Sequence, residues 1–119
     1  MPTGNPPTVD PKTDKLLRRA IREKRLIRLL YHDKVRIMEP HDYGIHKGKL
    51  KLLGFQVAGQ SSGKLPNWRW VELASASQLT VRDDTFPGGR PQESGKHHEW
   101  DELFARVEPA PAHAYAAGR

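Results

Sequence analysis

A mainly β (α+β) fold, a small bent sheet or barrel flanked by two helices, is what the sequence predicts. Three observations lead there. Short β-prone runs recur between turn residues, a basic amphipathic stretch precedes them, and an apolar set at helical spacing follows them.

The chain has 119 residues, enough for one domain, with 36% hydrophobic and 29% charged residues. It has no cysteine, which excludes disulfides, thiolate metal sites and cysteine nucleophiles and fits a reducing compartment. Met1 to Pro11 has neither a basic n-region nor an apolar run, and no stretch has the length of a membrane span. A cytoplasmic protein without membrane contact is the expectation. The net charge of +6 is concentrated: Lys15, Arg18, Arg19, Arg22, Lys24, Arg25 and Arg28 face Glu23 alone, so this stretch accounts for all of it. Such clustering is read either as a solvated helix face or as a phosphate-facing stripe.

Met1 to Thr13, with four prolines, reads as a disordered arm. Asp14 stands where an N-cap belongs, and Leu16, Leu17, Ala20 and Ile21 mark the buried face of a helix from Lys15 to about Lys24. Arg18, Arg22 and Arg25 recur on another face. Leu26 to Tyr31 and Val35 to Glu39 form two strands around a turn at His32-Asp33-Lys34, the second stopping at Pro40. His41 to Ile45 continues extended, with Gly44 at a bulge or close approach, and His46-Lys47-Gly48 is a second turn. Lys49 to Ala58 is apolar on both faces and reads as a central strand; Gly59 to Pro66 is a loop. Strand chemistry resumes at Trp68 to Leu73 and briefly at Leu79 to Val81, and Phe86 anchors the chain before Pro87 to Pro91. Trp100, Leu103, Phe104 and Val107 predict a second amphipathic helix packed back on the sheet, and Pro109 to Arg119 a tail.

From Ala20 onward, five segments taken together resemble the short, free-standing branch of the WYL-domain family. They are Ala20 to Tyr31, Glu39-Pro-His-Asp-Tyr-Gly44, Leu52-Leu-Gly-Phe-Gln56, Trp68-Arg69, and Phe86 with Arg90-Pro91. The tripeptide that names the family falls at Leu50-Lys51-Leu52, where only the leucine is kept, and the basic strand of longer members falls on Val71 to Ala76, which has no basic residue. The resemblance implies an Sm/SH3-like barrel that binds nucleic acid or a nucleotide-like ligand in a regulatory, often transcriptional, role. The expected organisation is a disordered arm at 1–13, a WYL-like barrel with its N-terminal helix at 14–91, a C-terminal helix at 92–108 and a disordered tail at 109–119.

No catalytic constellation stands out. Ser61, Ser62, Ser75 and Ser77 lie outside any Gly-x-Ser-x-Gly elbow, and His41 and His46 with Glu39 and Asp42 match no standard metal spacing. Neither an enzyme nor a cofactor or metal is expected. Gly88-Gly89 before Arg90 reads as a plain turn or an anion-binding nest. Trp68 and Trp70 share one strand face, Arg69 shares the other with Val71 and Leu73, and an exposed tryptophan near Arg36, His41, Tyr43 or Gln56 would be a stacking platform. Gln56, inside an apolar strand, is either a structural staple or a ligand contact. The expected binding set is Arg18, Arg22, Arg25, Arg36, His41, Tyr43, Gln56, Trp68, Arg69 and Arg90, facing single-stranded nucleic acid or a nucleotide-like ligand. The alternatives are a protein-interaction or self-association module and a sensor of a small anion.

Overall fold

A computed structural model describes residues 10–61, 63–91 and 99–114. Helix α1, Pro11–Glu23, starts earlier than its apolar pattern suggests. Asp10, not Asp14, is the N-cap: its carboxylate accepts from the Thr13 N–H at 3.1 Å, and Pro11 opens the first turn, where a missing N–H costs nothing. The last part of the expected arm is therefore helix; residues 1–9 lie outside the described residues. Lys24, at φ 55°, closes the helix with its N–H turned back on Ala20 and Ile21. Leu17, Ala20 and Ile21 are buried against the sheet.

Among the described residues, six antiparallel strands follow: β1 Arg25–Tyr31, β2 Lys34–His46, β3 Lys49–Gly59, β4 Asn67–Glu72, β5 Ala76–Thr85 and β6 Glu102–Arg106. A single 3-10 turn, Leu73–Ser75, joins β4 to β5. The order is β4-β3-β2-β1-β5, with β6 on β2, and the sheet is bent but not closed. Both predicted hairpin turns are present. Each has two central residues in the left-handed region, His32 with Asp33 and Lys47 with Gly48, the geometry that matches strand twist. No described helix is long and apolar enough to cross a membrane.

Strand β2 does not stop at Pro40. Its first half pairs with β1 as far as Met38↔Ile27, and its second half pairs with β6 from Asp42↔Arg106 onward. Pro40 falls in the gap between these partners, beside a register shift against β3, where a missing N–H breaks no ladder.

The C-terminal packing helix is a correction. The part of it that the structure describes, residues 99–108, holds strand β6 and its flanks instead, while 92–98 lies outside the described residues. The second half of β2 has no β1 beside it, and unpaired backbone there is costly, so pairing outweighs the helical spacing of Trp100, Leu103, Phe104 and Val107. Leu103, expected in that apolar face, is exposed. The tail, as far as Ala114, runs on from a bridge between Gly89 and Pro109; residues 115–119 lie outside the described residues.

Alternation then sorts the sheet into two faces. Ile27, Leu29, Met38, Tyr43, Leu52 and Val71 form the face under α1, joined by Phe86 and Val107. Leu53, Phe55, Glu39, His41 and His46 belong to a second buried set with Trp68 and Trp70, and the segments carrying Arg90, Trp100 and Arg106 cover it. Gly44 sits where the two halves of the structure touch: a Cβ there would collide with the Glu102 backbone carbonyl. Gly44→Ala is accordingly expected to detach β6 at a cost of roughly 1–3 kcal/mol. Hydrogen exchange should show Leu103 to Arg106 losing protection while β1 and β3 keep theirs; unchanged protection of β6 would contradict the pairing.

Candidate anion-binding site

The structure separates the ten sequence-nominated residues into three places. The first is the helix. Arg18 pairs with Asp14 at 3.0 Å and its guanidinium lies 5.4 Å from the Phe104 ring; Arg22 is exposed beside Glu23. Arg25 is not on the helix face at all: it opens β1, held by Glu23 at 2.8 Å and by Asp83. The arginine stripe expected along α1 is therefore a set of carboxylate-paired cations. A groove of about 380 Å³ between α1 and β6 is lined by Arg18, Arg22 and Arg106, with Glu108 among its walls. Tyr43 lies under α1, where its hydroxyl donates to Asp14 at 2.7 Å. Burial, then that hydrogen bond to a carboxylate, push its phenol well above the ordinary value.

The second place is the face opposite the helix, and its polar groups are spent on holding the fold. Arg90 clasps Glu39 with Nε at 2.9 Å and Nη2 at 2.6 Å while its guanidinium lies 4.0 Å from the Phe55 ring. Arg106 clasps Asp42 in the same two-pronged way. His41 contacts the Glu39 carbonyl through Nδ1 at 3.0 Å, and the Arg90 N–H donates to its Nε2 at 3.4 Å. Trp68 packs edge-on against His41 and Phe55, half-buried rather than laid open as a platform. The Gly89 N–H donates to the Glu108 carbonyl at 2.8 Å, so Gly88-Gly89 is a turn tied to the C-terminal segment.

Arg36, Gln56 and Arg69 meet in the third place, at the end of the core face, and Tyr31 and Ser61 join them. Arg36 shares its face with Met38, Gln56 with Leu52, and Arg69 with Val71, so period-two alternation aims all three to one side. Gln56 is fully buried. Its amide N–H groups donate to the carbonyls of Ala58 and Gln60, and its oxygen accepts from Arg36 Nη1 at 2.9 Å. Arg69 Nη2 donates to the Ser61 hydroxyl at 2.8 Å. The Arg36 guanidinium lies 5.4 Å from the Tyr31 ring centroid, and the Tyr31 hydroxyl accepts from the Glu72 N–H.

These partners orient the two guanidinium groups without neutralising them. No described carboxylate pairs with either, and the Nε atoms of both are buried without a hydrogen-bond partner. Burial, and after it the neighbouring Arg69 charge, hold the Arg36 guanidinium below its ordinary value, with Tyr31 acting in the opposite sense. Arg90 and Arg106 use the Nε/Nη2 edge to grip a carboxylate, whereas Arg36 bonds Gln56 through Nη1 and its Nε is buried without a hydrogen-bond partner. Two half-buried guanidinium groups are thus held by neutral acceptors, which leave their charge uncompensated.

Sequence reasoning nominated Arg36, Gln56 and Arg69 but missed two members. Tyr31 is two residues from buried Leu29 on one strand, a spacing that puts both on one face; Ser61 gives no sequence signal in its loop. No family model, curated protein or solved structure matches the chain.

The two kinds of arginine should respond oppositely to loss of a partner. In phosphate-free buffer Arg69→Gln is expected to leave stability unchanged or raise it by about 0.3–1 kcal/mol, since it relieves a like-charge contact. Glu39→Ala, which strands Arg90, should cost about 3–5 kcal/mol. Thermal denaturation of both variants checks the contrast, and equal destabilisation would contradict it.

Proposed function

We propose that this chain is a non-catalytic, WYL-like binding module that takes single-stranded nucleic acid or a nucleotide-like ligand, in a regulatory role. One observation carries the reading: Arg36 and Arg69 converge at the end of the core face, oriented by Gln56 and Ser61, with no described carboxylate between them. A phosphate supplies what that arrangement lacks, two or more acceptor oxygens and negative charge. The order of resembling segments along the sequence supports the family reading. The order β4-β3-β2-β1-β5, with a 3-10 turn between β4 and β5 and a helix against the bent sheet, supports its Sm/SH3-like form. The net charge of +6 would draw a polyanion to the surface before the specific contact forms.

The other two readings gain less. Leu103 is the exposed large hydrophobic residue among those described, which offers a protein partner no broad apolar patch. A small-anion site made of Arg36, Arg90 and the Gly88-Gly89 turn is disfavoured because Arg90 is bound to Glu39 while Arg36 is held by Gln56 on the other face.

Fluorescence anisotropy of labelled single-stranded DNA and RNA, at low and near-physiological salt, tests the reading. Binding should weaken with salt, and each of Arg36→Gln and Arg69→Gln should weaken it roughly 10-fold or more, the scale of a lost hydrogen bond to a charged group. Arg22→Glu should act through salt-sensitive attraction alone. Binding that depends on Arg22 and ignores Arg36 and Arg69 would reduce the protein to a basic helix; no binding at low salt would overturn the proposal.

A further inference from the structure

We infer that the Arg36–Arg69 site takes a phosphomonoester, either the terminal phosphate of an oligonucleotide or the phosphate of a mononucleotide, in preference to an internal phosphodiester. The inference rests on the phosphate-binding reading above and names the chemical class of ligand for that same site.

Charge is the first argument. Arg36 and Arg69 are aimed to one side of the sheet, held by Gln56 and Ser61, and neither is paired with a described carboxylate. A phosphomonoester carries about −1.5 to −2 at neutral pH and three free oxygens, while an internal diester carries a single charge and two. The monoester brings the net charge of the pair close to zero; the diester leaves about one positive charge uncompensated.

The walls of the site are the second argument. Fully buried Gln56 closes it below, fixed by the carbonyls of Ala58 and Gln60. The loop after β3 is pinned to β2, with the Gln60 N–H donating to the Val35 carbonyl and the Gln60 side chain accepting from the Val35 N–H. From that loop Ser61 binds Arg69 Nη2, and a Cβ on Gly63 would stand 2.8 Å from the same atom. An internal phosphate must pass sugar-phosphate chain out of the site on two sides. A terminal phosphate enters with its ester side alone facing out, and the Tyr31 ring beside Arg36 offers that ester an aromatic surface.

The third argument is preorganisation. Each guanidinium is held by one Nη group, Arg36 through Gln56 and Arg69 through Ser61, so little ordering remains to be done when the anion arrives.

Isothermal titration calorimetry at pH 7.5 in phosphate-free buffer tests this on the full chain. The probes are oligonucleotides of one sequence ending in a 5′-phosphate, a 3′-phosphate or hydroxyls only, a nucleoside monophosphate, and inorganic phosphate. At least one phosphorylated end is expected to bind 10-fold or more tightly than the hydroxyl form. That gain should vanish in Arg36→Gln and Arg69→Gln and survive in Arg22→Glu. Arg69→Lys, which keeps the charge and loses the fork, should stay folded by circular dichroism and lose most of the gain. A mononucleotide that matches the phosphorylated oligonucleotide identifies a free nucleotide as the ligand; a weaker one identifies a strand end. Equal affinity for phosphorylated and hydroxyl oligonucleotides, still dependent on Arg36 and Arg69, would overturn the monoester inference and leave the phosphate site standing. No heat with any probe would overturn both.

Discussion

The backbone of β2 is the constraint on which this structure depends. One continuous strand, Lys34–His46, pairs along its length with β3, with β1 over its first half and with β6 over its second. Pro40 is tolerated because it falls where one neighbour ends and the other has not begun. Gly44 is required because the β6 backbone lies where a side chain would be. Alternation along the same strand sends Arg36, Met38 and, beyond the irregularity at Pro40, Tyr43 to the helix side, and it delivers Glu39 and His41 to the other.

From that sorting follows the division of the arginines. On the face away from α1 the strand carries buried carboxylates, and arginines from the C-terminal segments close over them. These pairs fasten covering chain to sheet and have no charge left to offer. Toward the core face the same strand presents Arg36, whose neighbours are an amide, a phenol ring and another arginine, the latter bound to a hydroxyl. Hydrogen bonds to neutral acceptors keep a guanidinium in place but leave its charge uncompensated, and partial burial strengthens the repulsion that remains. The proposed function and the ligand class both grow from this difference between paired and unpaired arginines.

Much of the local structure was legible because local signals decide it. The buried face of α1, the two turns and the apolar run of β3 follow from periodicity and turn chemistry alone. The start of α1 was misplaced because two aspartates compete for the cap, and the choice depends on Tyr43, which draws Asp14 inward. Strand β6 was illegible for a deeper reason. Its apolar spacing fits a helix, and only the open side of β2, some sixty residues away in sequence, makes a strand the better solution. At the site, Arg36, Gln56 and Arg69 were each nominated, yet grouped with Trp68, which alternation places on the opposite face. Of the arginine stripe, Arg18 and Arg22 lie on α1 while Arg25 opens β1, and carboxylates distant or adjacent in sequence, Asp83 and Glu23 among them, reach these side chains.

The central claim is that Arg36 and Arg69 form a site for an oxyanion that no other arginine pair in the described structure provides. The most direct measurement is nuclear magnetic resonance of the arginine Nε–H groups during titration with inorganic phosphate, with Arg90 and Arg106 as internal references. The account predicts saturable shifts at Arg36 and Arg69, both of which have a buried Nε without a partner, while Arg90 and Arg106 stay fixed on their carboxylates. Shifts confined to surface arginines such as Arg22, or no saturable response at all, would contradict it.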